Sequence, residues 1–392
     1  MRFQPAQRIK SLPSYLFADI DRKIAAARER GADVIKLGIG DPDRPTPDYI
    51  VHRAQAEVAN PQNHPYPPAE GMRAFKEAVA RYYLKRHGVK LDPEREVTVL
   101  IGSKEGIAHI SACFTEVGDV NLVPDPGYPV YSIGTMFAGG QSVQMPLLVE
   151  NNYLPDLGAI SEETAQQAKL MFLNYPNNPT GAEATLDFFA QAGEFGNQHN
   201  IIVCHDMAYG EVAFDGYSPP SILEAPGAKD CCIEFGSLSK TFNMTGWRIA
   251  YAVGNADVIE VLTRYKTNID SGAFKAIQYA GIEALENPLA EQHIQQMRAV
   301  YHERRDVVVS ALNNMGINVT TPKASFYVWT PIPAGFASSS QFVGALLDAT
   351  GVVVTPGRGF GQYGEGYFRI ALTVEAPRMA EAMERVKNFL KK

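Results

Sequence analysis

The chain is expected to fold as an α/β protein with a large, mostly parallel-sheet domain and a smaller α+β domain. Three observations point there. Its 392 residues exceed one compact core and suggest more than one domain. Between about Asp48 and Leu285, short apolar strand candidates alternate with helical patterns, as in a parallel sheet covered by helices on both faces. Beyond that, a long stretch rich in Glu, Gln and Arg (about Asn287 to Met315) leads into a few strands and a final amphipathic segment.

Taken in order, Leu16, Ile20, Ile24 and Ala27 recur at helical spacing and stop at Gly31, which predicts an early amphipathic helix. A short strand then enters a glycine turn over Val34–Pro42. The large-domain strand candidates include Val97–Ile101, Val120–Val123, Leu170–Leu173, Ile201–Cys204, Cys232–Phe235 and Ile249–Val253. Ser325–Thr330, Val352–Thr355 and Tyr367–Leu372 are the strands expected of the small domain, closed by a helix from Pro377 to Leu390. The early helix is expected to fold onto this unit. The division is therefore 1–47 with the small domain, 48–285 as the large domain and 286–392 as the small domain.

Composition excludes several classes. Hydrophobic residues make up 45% and charged residues 20%, which is ordinary for a globular protein. A net charge of -7 argues against a nucleic-acid or anionic-membrane surface. Cys113, Cys204, Cys231 and Cys232 show no metal-binding spacing, nor do the eight histidines, so no metal is expected. Buried thiols in a reducing cytosol are the plain reading. With no signal-peptide core at Met1–Pro5 and no membrane-length apolar run, a cytoplasmic enzyme is expected.

The chemistry concentrates in Ser237-Leu238-Ser239-Lys240-Thr241, followed by Arg248. An amine flanked by hydroxyls and a second cation suits an aldehyde cofactor that carries a phosphate. Lys240 can form a Schiff base, its pKa lowered by burial and by Arg248. Ser237 and Arg248 can bind the phosphate, the arginine with two parallel donors. Pyridoxal phosphate is such a cofactor. The segment resembles the lysine motif of the fold-type I pyridoxal-phosphate enzymes, specifically the class I and II aminotransferases.

Three further segments follow that family's order. In Asn174-Tyr175-Pro176-Asn177-Asn178-Pro179-Thr180-Gly181, the resemblance implies that Asn178 donates to the cofactor's phenolic oxygen. Asp206 ends the apolar run Ile201–Cys204 at the side where open α/β sheets place ligands. A carboxylate there can keep the pyridine nitrogen protonated and the ring an electron sink. Tyr209, three residues on, can reach the phenolic oxygen. Val97–Ile101 runs into Gly102-Ser103-Lys104, and the N–H groups of a helix start there would form a phosphate site. By resemblance Ser103 and Lys104 belong to the phosphate cradle, and Tyr128 stacks on the cofactor ring. The similarity runs from about Leu12 to the last helix.

On the substrate side, Arg369 lies inside an apolar strand, where an unpaired arginine is costly. A substrate carboxylate or an internal salt bridge would satisfy it. The family pattern favours the carboxylate, assisted by Asn178 and the Gly40 N–H. Tyr66 matches a tyrosine that crosses to the neighbouring subunit's cofactor phosphate, which implies a homodimer with shared active sites. Leu12–Ile20, Leu37–Pro47, Thr267–Gly272 and Val354–Gly361 resemble the branch of the family that acts on LL-diaminopimelate. That branch moves an amino group from LL-2,6-diaminopimelate to 2-oxoglutarate, giving tetrahydrodipicolinate and glutamate for lysine and cell-wall synthesis. By the same resemblance Tyr15, Lys104 and a partner-supplied Asn268 hold the substrate's distal end. One position departs: Ala69 stands where some members carry a glutamate toward the distal ammonium, with Glu70 beside it. Alanine-, aspartate- or aromatic-type aminotransferases share the cofactor residues. A C–S β-lyase and a cofactor-sensing regulator are the other readings, the last disfavoured because no segment remains for a DNA-binding unit.

Overall fold

The computed structural model describes residues 3–12 and 16–391. After β1 (Ile35–Lys36), seven strands form the large sheet: β2 (Val97–Leu100), β3 (Val120–Asp125), β4 (Gln141–Pro146), β5 (Ala168–Asn174), β6 (Ile202–Asp206), β7 (Cys232–Ser237) and β8 (Ala250–Gly254). Their order is β2-β8-β7-β6-β5-β3-β4. Only β8 is antiparallel, pairing so with both β2 and β7. β4 lies at one edge, with only Met145 buried and no apolar run to mark it, and it is absent from the strands expected from sequence.

The central strands are buried on both faces, so they read as continuous apolar runs rather than alternating ones. Along β5, Leu170 and Phe172 pack on one side with Val123, Cys204, Ile233 and Phe235. Met171 and Leu173 face the other side, with Val79, Tyr83 and Phe189. Helices Ser103–Phe114 and Ala256–Thr267 cover the first face. Helices Arg73–His87, Leu186–His199 and Lys275–Glu286 cover the second. Because β5, β6 and β7 run parallel in register, with Asn174 opposite Asp206 and Asp206 opposite Phe235, their C-terminal ends open at one rim.

A 25-residue helix, Ala290–Asn314, leads away from the large sheet. Beyond it, β9 (Tyr327–Pro331), β10 (Val352–Val353), β11 (Thr355–Pro356) and β12 (Tyr367–Ala371) follow. The antiparallel order is β11-β12-β9, with helices Ser339–Thr350 and Ala376–Leu390 packed nearby. The single strand expected over Val352–Thr355 is instead two short pieces with different partners: β10 pairs with β1, and β11 with β12. Thus the N-terminal segment joins the last part of the chain. Ile24 and Ala27 of helix Leu16–Glu29 pack on Leu347 and Val353. Asp43 takes two 2.7 Å bonds from buried Arg304 of the long helix.

Candidate active site

The rim of the sheet holds a carboxylate that the fold leaves incomplete. Asp206, the last residue of β6, is 7% exposed. Its Oδ2 accepts from Tyr131 Oη at 2.9 Å, while its Oδ1 has no partner among the described residues. Burial pushes its pKa up to about 6, against the hydrogen bond from Tyr131. Tyr131 comes from helix Val130–Ala138 and stacks on Phe172 at 5.1 Å. Asn174, across from Asp206 on β5, donates to the Asp206 carbonyl at 2.7 Å and accepts the Asn178 N–H at 2.8 Å. One amide thereby sets both the aspartate and the Asn-Pro-Thr-Gly loop.

Lys240 stands on a four-residue helix, Leu238–Thr241, whose N-cap Ser237 accepts the Ser239 N–H at 3.1 Å. Its Nζ donates to the Gly40 carbonyl at 2.8 Å and lies 5.7 Å from the Phe326 ring centroid. Burial lowers its pKa to about 8; Asp41 opposes the shift, and the cations Arg369 and Arg248 reinforce it. A free amine near neutral pH is what a lysine nucleophile needs.

Beside it, Gly102 precedes helix Ser103–Phe114 at φ +118°, and a Cβ there would sit 1.9 Å from an Arg248 nitrogen. Glycine at this point lets the guanidinium approach a helix start, whose N–H groups and positive dipole end favour an anion. Lys104 Nζ is 5.9 Å from the centroid of Tyr128, which meets Tyr131 edge-on at 6.0 Å. Ser103, Lys104, Tyr128, Ser237 and Arg248 thus border the same rim as Asp206 and Lys240.

Arg369, on β12, is 2% exposed. It donates to Asn178 Oδ1 at 2.6 Å and to the Gly38 carbonyl at 2.7 Å, and its Nε is without a partner among the described residues. Its guanidinium lies between aromatic faces, 4.1 Å from the centroid of Tyr327 and 4.7 Å from that of Phe360. Burial lowers its pKa, though an arginine keeps its charge. Among the described residues its hydrogen bonds go to an amide oxygen and a carbonyl and to no carboxylate, so the internal salt bridge allowed by sequence is not what satisfies it. Tyr209 and Tyr327 share a 3.0 Å hydroxyl contact. A Cβ on Gly40 would fall 1.9 Å from the Tyr327 hydroxyl.

Not every expected residue converges here. Tyr66 is 83% exposed and borders a surface cavity of about 340 Å³ with Ser271, Gly272 and Phe274. Asn268 caps helix Ala256–Thr267 and turns back to the Arg264 carbonyl at 2.7 Å. Both flank a loop pinned by wholly buried Lys266, which donates to the Ala69 carbonyl at 3.2 Å and to Asp270 at 2.8 Å. Glu70 is exposed. Tyr15 lies outside the described residues. Sequence reasoning assigned no role to Asn174, Tyr131, Tyr327 or Phe360. Asn174 and Phe360 sit inside segments already singled out, Asn174–Gly181 and Val354–Gly361, and only their contacts reveal them.

A family model for class I and II aminotransferases matches residues 32–386. The chain belongs to that family. This aminotransferase has the fold-type I architecture and exchanges an amino group between an amino acid and a 2-oxo acid. It is 58% identical to LL-diaminopimelate aminotransferase of Moorella thermoacetica over 99% of both chains. It is 56% identical to the enzyme of that name from Desulforudis audaxviator, over 100% of this chain and 99% of the other. The substrate-bound BacF structure from Bacillus subtilis superposes with a TM-score of 0.94 at 40% identity, covering 99% of this aminotransferase and 98% of BacF. Among the described residues no helix is long and apolar enough to cross a membrane.

Proposed function

We propose that this aminotransferase uses pyridoxal 5'-phosphate to move an amino group from LL-2,6-diaminopimelate to 2-oxoglutarate. The observation that carries the cofactor is the buried, unpartnered Asp206 Oδ1 at the rim that also holds Lys240 and Arg248. Such an orphaned acceptor calls for a donor from outside the chain, and a protonated pyridine nitrogen fits it. Ser103, Lys104, Ser237 and Arg248 take the phosphate. Tyr128 covers the ring face, and Asn178 and Tyr209 serve the phenolic oxygen. The bound cofactor supplies an electron sink conjugated to the substrate Cα.

The chain's own residues do the rest. Lys240 anchors the cofactor and, once displaced by substrate, takes the proton from Cα, its pKa near 8 suiting both exchange directions. Asp206 holds the ring-nitrogen proton. Arg369, its guanidinium over the rings of Tyr327 and Phe360, grips the α-carboxylate, with Asn178 and Gly40 beside it. A second copy of the chain supplies Tyr66 and Asn268, which the single chain leaves at its surface; the unit works as a homodimer in the cytoplasm. The division into residues 1–47 with 286–392, and 48–285, is carried by the β1–β10 pairing and the Asp43–Arg304 bonds.

The donor rests on the 58% identity to an enzyme named for it. Tyr15, Lys104 and Asn268 hold its distal end, and a site built for polar groups rejects donors lacking them. Ala69 leaves the distal ammonium to Glu70 or a carbonyl, so stereochemical discrimination should be weaker than in members with glutamate there. The test compares kcat/KM for LL-diaminopimelate, alanine, aspartate, glutamate and phenylalanine with 2-oxoglutarate. A monoamino donor preferred by tenfold or more, about 1.4 kcal/mol, overturns the donor and leaves the aminotransferase standing.

A further inference from the structure

Asp125 ends β3, at the same rim as Asn174 and Asp206. Its carbonyl accepts the Leu147 N–H at 2.8 Å, which holds it to the large sheet. Its buried carboxylate faces the last part of the chain. Oδ2 accepts the Gln362 N–H and Oδ1 the Tyr363 N–H, each at 3.0 Å. Two residues on, the Gly127 N–H donates to the Phe360 carbonyl at 2.8 Å. Gly361 has φ +137°, and a Cβ there would lie 2.0 Å from Asp125 Oδ1. The loop 357–364 comes this close only because residue 361 has no side chain.

That loop carries Phe360, whose ring forms one wall around the Arg369 guanidinium at 4.7 Å. Trp329 meets Phe360 in a T-shaped contact with centroids 6.1 Å apart. We propose that Asp125 is a positioning residue for the substrate-carboxylate pocket, seating the Phe360 loop on the large sheet so that Arg369 is held flat with one edge open. The inference rests on Arg369 being the carboxylate clamp. Both carboxylate oxygens are needed. An asparagine offers one acceptor and turns an N–H₂ toward the second backbone N–H, so two donors face each other where a carboxylate oxygen had accepted.

Glutarate, an unreactive dicarboxylate of the acceptor's length, is the probe, titrated calorimetrically into cofactor-loaded enzyme. The variants are Asp125→Asn, Gly361→Ala, their double and Arg369→Lys. Asp125→Asn and Gly361→Ala should each weaken glutarate and raise the KM for 2-oxoglutarate about tenfold. Saturating kcat should change less than about threefold, and the double should be no worse than the singles, because both break one latch. Cofactor affinity should stay at the parent value. If Asp125→Asn does not fold, Gly361→Ala decides. Glutarate affinity within about twofold of parent in the foldable latch variants, while Arg369→Lys lowers it, overturns the latch and keeps the clamp. Unchanged glutarate binding in Arg369→Lys removes the clamp and the latch together.

Discussion

His205 and Asp206 are neighbours on β6, point to opposite faces and are both buried, yet they are treated in opposite ways. His205 Nδ1 lies 2.7 Å from Glu234, and its Nε2 lies 3.0 Å from the Tyr175 carbonyl. Glu234 in turn accepts from Tyr83 at 2.7 Å, Ser221 at 2.8 Å and the Ile222 N–H at 3.0 Å. Burial alone would raise the Glu234 pKa; the hydrogen bond and charge of His205 and the Tyr83 bond outweigh it, and the net shift is downward. On the other face, Asp206 has one oxygen unpartnered among the described residues and Lys240 is pressed toward neutrality. A finished network fastens β6, β7 and helix Arg73–His87 together. The unfinished one is what the proposed chemistry draws on, and buried groups left incomplete in this way generally cost stability.

The contrast is broken most directly at Lys240. Lys240→Ala should cost at least ~10²–10⁴-fold in turnover, from lost acid–base catalysis alone, while leaving the denaturation midpoint at or above the parent's. Turnover at the parent level would remove Lys240 from the chemistry. A collapse in stability would make it structural like Glu234.

Glu234→Gln tests the other face. Breaking a buried pair from one side costs about 3–5 kcal/mol, read as a fall in urea midpoint at fixed protein concentration. A change under about 1 kcal/mol would mean that the pair is no fastening.

Asp206→Asn should act in the opposite direction on stability. Its pKa in the folded protein, about 6, is above the unfolded value of 3.8, so its contribution is full below 3.8 and lost as pH rises through 6. Removing the charge should therefore stabilise the cofactor-free protein above pH 6, on the order of 2–3 kcal/mol, with no gain near pH 4. Cα-proton abstraction at saturating cofactor should slow in the same variant. A loss of stability at pH 8 would contradict the contrast.

The gentlest test is a titration. Lys240's folded pKa of about 8 is below its free value of 10.5, so more of it is unprotonated at neutral pH. Capture of the cofactor aldehyde by the free protein, trapped by borohydride, should rise about tenfold per pH unit and level near pH 8. A rise continuing to pH 10 would show that the pocket does not lower this pKa.

The sheet strands were legible where burial on both faces made apolar runs, as in Leu170–Leu173 and Cys232–Phe235. β4 escaped because an edge strand of Gln141–Pro146 needs no such run. Arg369 stood out as a costly charge within an apolar strand and Asp206 as a carboxylate at a strand end, whereas Lys240 stood out by its hydroxyl and arginine neighbours and Asn178 through the family resemblance. Tyr131 and Phe360 did not, since an aromatic in a loop or helix looks the same whether it packs, donates or walls a pocket.

By itself the sequence determined the order of the apolar strands and helices, the candidate reactive groups and the place of Asp206 at the C-terminal end of its strand. These follow from local periodicity and from chemistry carried by single residues. Only the tertiary structure decided that His205 is satisfied and Asp206 is not. It also decided that Arg369 is gripped by Asn178 and Gly38, and that Asp125 meets Gln362 and Tyr363. Those partners lie tens to hundreds of residues apart in the chain. Their meeting is set by how sheet and helices pack, and no local pattern encodes which of two adjacent buried side chains will be left wanting a partner.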